Sequence, residues 1–250
     1  MRRCHQRRLV PPRCFFLLLG VAFSVVVPAA SGQVTVTGQI SLIDRATGKP
    51  LPDSSGVVVW LMPLSGADTK PAFVRQQDLR LVQRHKTFEP HLLVVQAGSM
   101  VQFPNDDPFF HNVFSLFEGK RFDLGLYEAG STRSVHFDKP GICYLFCNIH
   151  PEMSAVIVVV ATPYFGVSNR TGQVSILNVT AGPYQLRVWN ERSLPKDLDS
   201  LTRRLSISEG SHTLEVTSLA VNPKQTTTHK NKYGRDYDSA APPNALYTQP

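Results

Sequence analysis

Gly141-Ile-Cys-Tyr-Leu-Phe-Cys147-Asn-Ile-His150-Pro-Glu-Met153-Ser-Ala155-Val-Ile-Val-Val-Val160 reads as two strands joined by a short loop. The first run is apolar and ends on Cys147. The second is dominated by valine and isoleucine, whose branched side chains suit a pleated surface. Alternation along a strand places Cys143, Leu145 and Cys147 on one face. Cys143 and Leu145 then face inward, and a buried free cysteine packs as a small hydrophobe. Cys147 stands where the strand gives way to the loop, and His150 and Met153 follow it at intervals of three.

Outward from this hairpin, helical periodicity is nearly absent. Val34 to Ile43 alternates, and Gly56 to Leu61, Leu92 to Phe103, Ser134 to Phe137, Gln173 to Leu177, Tyr184 to Trp189 and Thr213 to Leu219 read as further strands. Ala97-Gly98, Lys139-Pro-Gly141, Arg170-Thr-Gly172 and Ala181-Gly-Pro183 punctuate them. Short strands with frequent turns predict an all-β sandwich or barrel, and 191–205 is the one place for a short helix.

The strands fall into two groups. Residues 78–160 hold the Cys147 loop, and residues 34–63 and 161–220 flank it. The flanks share a grammar, Thr37-Gly-Gln-Ile-Ser-Leu-Ile-Asp44 against Thr171-Gly-Gln-Val-Ser-Ile-Leu-Asn178. Neither flank alone has enough strands to be stable. Two arrangements fit: one small sandwich interrupted by an inserted domain, or edge strands added to a single larger β-domain. Residues 222–250 are polar and predict a flexible tail, having too little apolar surface to fold.

Residues 1–32 predict a secretory signal peptide. Arg2, Arg3, Arg7, Arg8 and Arg13 precede an apolar run from Phe15 to Val27, then the small residues Ala29, Ala30, Ser31 and Gly32. The run is short for a bilayer crossing. An exported chain, periplasmic or secreted and without a stable membrane span, is the expectation. Five of the 26 Lys and Arg lie in that leader, leaving 21 against 19 Asp and Glu, a net +2. The basic balance is therefore no argument for a nucleic-acid partner.

The same cleavage would leave two cysteines of four, Cys143 and Cys147. Four residues of extended chain separate their Cα atoms by roughly 13 Å, against about 7 Å at most for a disulfide. An exported protein that keeps a thiol it cannot bridge needs a use for it, and metal ligation is one. Thiolate, imidazole and thioether are soft and borderline donors, a set that selects copper over magnesium or calcium. Zinc would accept Cys and His but leave the Met idle. A c-type haem needs Cys-x-x-Cys-His, which is absent. A second imidazole is required for a type 1 copper site, and His111, in Phe109-Phe-His111-Asn112, is the candidate.

These residues resemble the cupredoxins, the plastocyanin, azurin and amicyanin group of blue copper proteins. The likeness lies in Phe103-Pro-Asn-Asp-Asp before His111-Asn112, then Lys139-Pro-Gly-Ile-Cys-Tyr-Leu-Phe-Cys147, then His150 and Met153. The stretch 86–165, with Thr162-Pro-Tyr-Phe165, further resembles cupredoxin-domain proteins of the methylamine-utilisation type. The flanks, above all Gly182-Pro-Tyr-Gln-Leu-Arg-Val-Trp189, are similar to carboxypeptidase-regulatory or transthyretin-like β-domains. The resemblance implies a Greek-key cupredoxin sandwich, with His111, Cys147 and His150 in the metal plane and Met153 as a long axial ligand. It assigns Asn112 to hold the Cys loop by hydrogen bonds. Glu152, directly before Met153, is the rival for the axial place. The implied function is transfer of single electrons between redox partners, a dehydrogenase, cytochrome or oxidase, with no substrate transformed. Copper delivery, or a non-redox β-sandwich binding module, is the alternative. Pro108, Phe109, Phe110, Pro151 and Met153 would form an apolar docking patch around His150.

Overall fold

The computed structural model describes residues 33–64, 73–116, 119–210, 212–215, 217–223 and 229–237. The expected leader at 1–32 lies outside them. The chain is all-β apart from one short helix. Strands β1 (Gln33–Asp44) and β2 (Val58–Pro63) come first. The central region carries β3 (Val82–Arg84), β4 (Thr87–Glu89), β5 (Leu92–Gln96), β6 (Ser99–Pro104), β7 (His111–Ser115), β8 (Phe122–Tyr127), β9 (Thr132–Phe137), β10 (Gly141–Phe146) and β11 (Ser154–Val160). Then follow β12 (Phe165–Val167), β13 (Gln173–Thr180), β14 (Gly182–Trp189), α1 (Pro195–Leu201), β15 (Arg203–Ile207), β16 (His212–Thr213) and β17 (Thr217–Val221).

The flanking strands form two sheets of their own. One has the order β13-β1-β16, with β17 also on β1; the other runs β12-β2-β14-β15. Val36, Ile40, Leu42, Val59, Leu61, Ile176 and Leu219 fill the space between them. The central strands form a five-stranded sheet, β5-β11-β10-β7-β8, and two ribbons, β6-β9 and β3-β4. Their core holds Leu81, Val101, Phe103, Phe137, Leu145 and Ile157, and Cys147 and Met153 belong to it. Among the described residues no central strand pairs with a flanking one.

A third apolar cluster joins the two cores side by side, with Val58 and Trp189 meeting Val94, Val156, Val158 and Val160. β11 is therefore buried on both faces. Ala155, Ile157 and Val159 enter the central core, while Val156, Val158 and Val160 enter the third cluster. An unbroken β-branched run is what such a strand requires. Β11 and β10 pair from Gly141↔Val159 to Phe146↔Ser154, so the loop 147–153 leaves one end of a rigid hairpin.

Sequence periodicity and structure differ in places. Leu92 to Phe103 is two strands, because Gly98 turns the chain at φ +101°. Thr213 to Leu219 is likewise split between β16 and β17. The 222–250 segment, expected to be flexible throughout, contains a stretch, 229–237, that packs on the Cys147 loop. The rest of that tail, 224–228 and 238–250, lies outside the described residues. Among the described residues no helix is long and apolar enough to cross a membrane.

Candidate metal centre

The β10–β11 hairpin delivers Cys147 and its loop to one end of the central sheet. The loop is closed by its own backbone: Cys147 N–H donates to Met153 O (3.1 Å) and Met153 N–H to His150 O (3.1 Å). His111 opens β7, which lies beside β10 through Phe114↔Phe146. Three donor atoms converge there. Cys147 Sγ is 3.7 Å from His111 Nδ1 and 3.6 Å from His150 Nδ1, and the two nitrogens are 3.1 Å apart.

That triangle fits a metal ion. Bonds of about 2.3 Å to sulfur and about 2.0–2.1 Å to nitrogen, as zinc makes them, splayed at about 120°, give S···N edges of about 3.8 Å and an N···N edge of about 3.6 Å. The protein presents these edges slightly contracted. Among the described residues the cluster consists of His111, Cys147 and His150, and no acidic oxygen joins it. The donor set is one thiol and two imidazoles, the composition of a blue-copper plane.

The protonation of His111 follows from its other nitrogen. Nε2 lies 2.7 Å from Asp107 Oδ2, with His111 wholly buried. A carboxylate only accepts, so the ring proton sits on Nε2 and Nδ1 turns a bare lone pair into the triangle. Asp107 is held in turn by the N–H groups of His85 (2.7 Å) and Lys86 (3.0 Å). Burial alone would raise its carboxyl, but those N–H groups and the His111 ring outweigh it and keep Asp107 below its ordinary value. Asn105 ties the same loop together: its Oδ1 accepts from Asp107 N–H and its Nδ2 donates to the carbonyls of Phe109 and Tyr127.

Both imidazoles favour the neutral, ligating form. Burial lowers His111 despite its carboxylate partner. Burial, then the neighbouring His111, takes His150 down to about 4. Burial raises the Cys147 thiol, while backbone N–H groups of Asn112, Ile149, His150 and Asn148 pull the other way. A sulfur in that position gives up its proton when a positive charge sits in the triangle.

Met153 is 1% exposed, and Glu152 faces solvent. The buried thioether is thus the loop's remaining donor on the protein side. The side chain of Asn112 is engaged on β8. Its side chain donates to Asp123 Oδ1 (2.6 Å) and Gly125 O (2.9 Å), away from the Cys loop. Its backbone N–H is among those that work against the burial raising the Cys147 thiol. β7 and β8 carry a register shift between Asn112 and Phe114, which turns this side chain toward β8.

The expected apolar patch is present in part. Phe110 is 48% exposed and Pro108 is exposed, while Phe109 is half-buried against both imidazoles, its ring 5.2 Å from His111 and 5.7 Å from His150. Met153 is too deep to contribute, and Ile149, 38% exposed, stands in its place. Cys143 is a core residue whose Sγ donates to Ser115 Oγ at 3.3 Å. Both Cys143 and Cys147 are free thiols.

No family model matches the chain, and no curated protein does. Solved structures of similar shape are cupredoxins and a copper enzyme. A purple cupredoxin from Nitrosopumilus maritimus is 22% identical, with a TM-score of 0.31, over 33% of this chain and all of that one. A Cu(I) mutant of amicyanin is 20% identical, with a TM-score of 0.31, over 32% of this chain and 80% of that one. A copper-containing nitrite reductase from Thermus scotoductus is 21% identical, with a TM-score of 0.33, over 49% of this chain and 28% of that one.

Sequence reasoning missed Asp107. A carboxylate four residues before a ligating histidine, inside a Pro-Asn-Asp-Asp turn, was the available signal. It also missed the segment 229–237, which is taken up below.

Proposed function

We propose that this protein is an exported type 1 copper protein that carries single electrons between redox partners and transforms no substrate. The observation behind the proposal is the triangle of Cys147 Sγ, His111 Nδ1 and His150 Nδ1, with the proton of His111 drawn to the far side by Asp107. Copper would supply a one-electron couple between Cu(I) and Cu(II). The residues do the rest. Burial favours the neutral forms of His111 and His150, backbone N–H groups oppose the burial that raises the Cys147 thiol, and buried Met153 would offer a weak axial donor. The hairpin from which the loop springs is packed on both faces, so the donors move little when charge changes. Phe110 and Ile149 would give a partner a small apolar landing beside His150, as transient redox contacts use.

Loading the purified protein with Cu(II) should give an intense blue colour that Cys147→Ser abolishes. A reductant should bleach it reversibly. A colourless product that holds zinc tightly would overturn the proposal, and colour that bleaches once without returning would favour copper delivery.

A further inference from the structure

The segment 229–237 packs on the ligand loop and on the end of β10. Asn231 makes this possible: its Oδ1 accepts from the N–H groups of Tyr233 and Arg235, and Gly234, at φ +75°, lets the chain double back. The turn brings Tyr237 beside His229, their rings 5.3 Å apart and edge-on. The His229 ring lies 4.4 Å from that of Phe146, the last residue of β10, and its backbone N–H donates to Pro151 O. Lys232 N–H donates to Asn148 Oδ1 (3.0 Å), and Lys232 Nζ pairs with Asp123, the same carboxylate that holds the Asn112 side chain. Tyr237 Oη donates to Cys147 O at 2.5 Å.

The last contact bears on the ligand cysteine. The carbonyl of Cys147 and the N–H of Asn148 belong to one planar peptide and point in opposite directions. That peptide joins Cys147 to the loop that carries His150 and Met153. A hydroxyl that grips the outer end of this peptide fixes the aim of its inner end. We propose that residues 229–237 form an intramolecular clamp on the ligand loop, with Tyr237 the positioning residue that holds the Cys147–Asn148 peptide from its carbonyl end. The clamp stands on geometry alone; its effect on a redox potential rests on the copper reading above.

The test uses full-length protein with Tyr237→Phe, which removes only the hydroxyl, and His229→Ala, which removes the ring packed on Phe146. Tyr233→Ala is the control, because Tyr233 is exposed in the same turn. In metal-free protein, hydrogen exchange at Asn148 and its loop neighbours should quicken by roughly 2- to 10-fold in both variants, with β1 and β14 unchanged. In copper-loaded protein, Tyr237→Phe should shift the reduction potential, since the peptide that follows the ligand cysteine loses its outer anchor. Copper loss to a chelator should be roughly 10- to 100-fold faster. Loop exchange equal to wild type in both variants would overturn the clamp. Faster exchange with an unmoved potential would overturn the positioning role of Tyr237. A wild-type protein that takes no blue colour, yet shows the exchange differences, would sink the copper reading and leave the clamp standing.

Discussion

Asp107→Asn is the most informative single change, because the two oxygens of Asp107 have different duties. Oδ1 accepts from His85 N–H; Oδ2 accepts from Lys86 N–H and from His111 Nε2. An asparagine must put an NH2 in one of these places. If the nitrogen replaces Oδ2, it faces Lys86 N–H and forces His111 to accept at Nε2, so the ring proton moves to Nδ1 and enters the triangle. If it replaces Oδ1, it faces His85 N–H and the His111 tautomer survives. The second orientation spoils fewer contacts, but either takes the acceptor from a part-buried backbone N–H, a hydrogen bond to a charged group worth about 1.5–3 kcal/mol. The turn at stake is already costly: His85 and Lys86 both sit in the left-handed region, at φ +54° and +57°, where side chains cost roughly 1–2 kcal/mol per residue. Denaturant unfolding of metal-free Asp107→Asn should therefore show a loss of about 1.5–3 kcal/mol. Chelator competition should show metal held about 10- to 100-fold less tightly. Asp106→Asn makes the same charge change at the exposed neighbour and should alter neither. If the two variants behave alike, the carboxylate of Asp107 does not orient His111.

Three further changes separate the loop from the scaffold. Glu152→Gln should leave metal affinity and stability within about 0.5 kcal/mol of wild type, as expected of an exposed side chain away from the donors, whereas Met153→Ala should shift the colour of the copper-loaded protein and cost roughly 2–5 kcal/mol through its buried cavity. A Glu152→Gln variant that loses metal would restore the carboxylate as the axial candidate. Gly172→Ala should destabilise the flanking sandwich by at least about 2 kcal/mol, because Gly172 lies at φ +84° and an added Cβ would fall 1.9 Å from Ile40 O; thermal unfolding measures it, and a neutral effect would mean that the β1–β13 junction is looser than its geometry.

The all-β class was legible because the strands that set it are covered on known sides. β11 shows the principle: two buried faces demand β-branched residues at every position, and the sequence supplies them from Val156 to Val160. β7 is the opposite case. His111, Asn112, Val113, Phe114 and Ser115 are all buried, so no alternation marks the strand, and its polar members are admitted only by partners such as Asp107 and Asp123. The hairpin of β3 and β4 was equally hidden, since His85-Lys86 carries none of the glycine or asparagine that a left-handed turn prefers. It is held by Asp107, 21 residues further on.

The site divides the same way. Cys147, His150 and Met153 could be read together because one loop carries them. His111 was a candidate as the second imidazole that the donor set calls for, and of the residues that govern the donors only Asp107 left a local trace, in its Pro-Asn-Asp-Asp turn. Asp107 orients a ligand through a turn made by another hairpin, and Tyr237 reaches the Cys147 carbonyl from 90 residues away. Polarity made 229–237 look unfoldable, but its contacts are with elements the rest of the chain supplies: the His229 ring lies against Phe114 of β7 and Phe146 of β10, Lys232 pairs with Asp123 of β8, and hydrogen bonds reach Cys147, Asn148 and Pro151 of the loop. A segment of this kind contributes little to folding and much to aim. The donor types of a metal site are thus written beside one another in the chain, while the groups that set their protonation and direction arrive only when the strands have assembled.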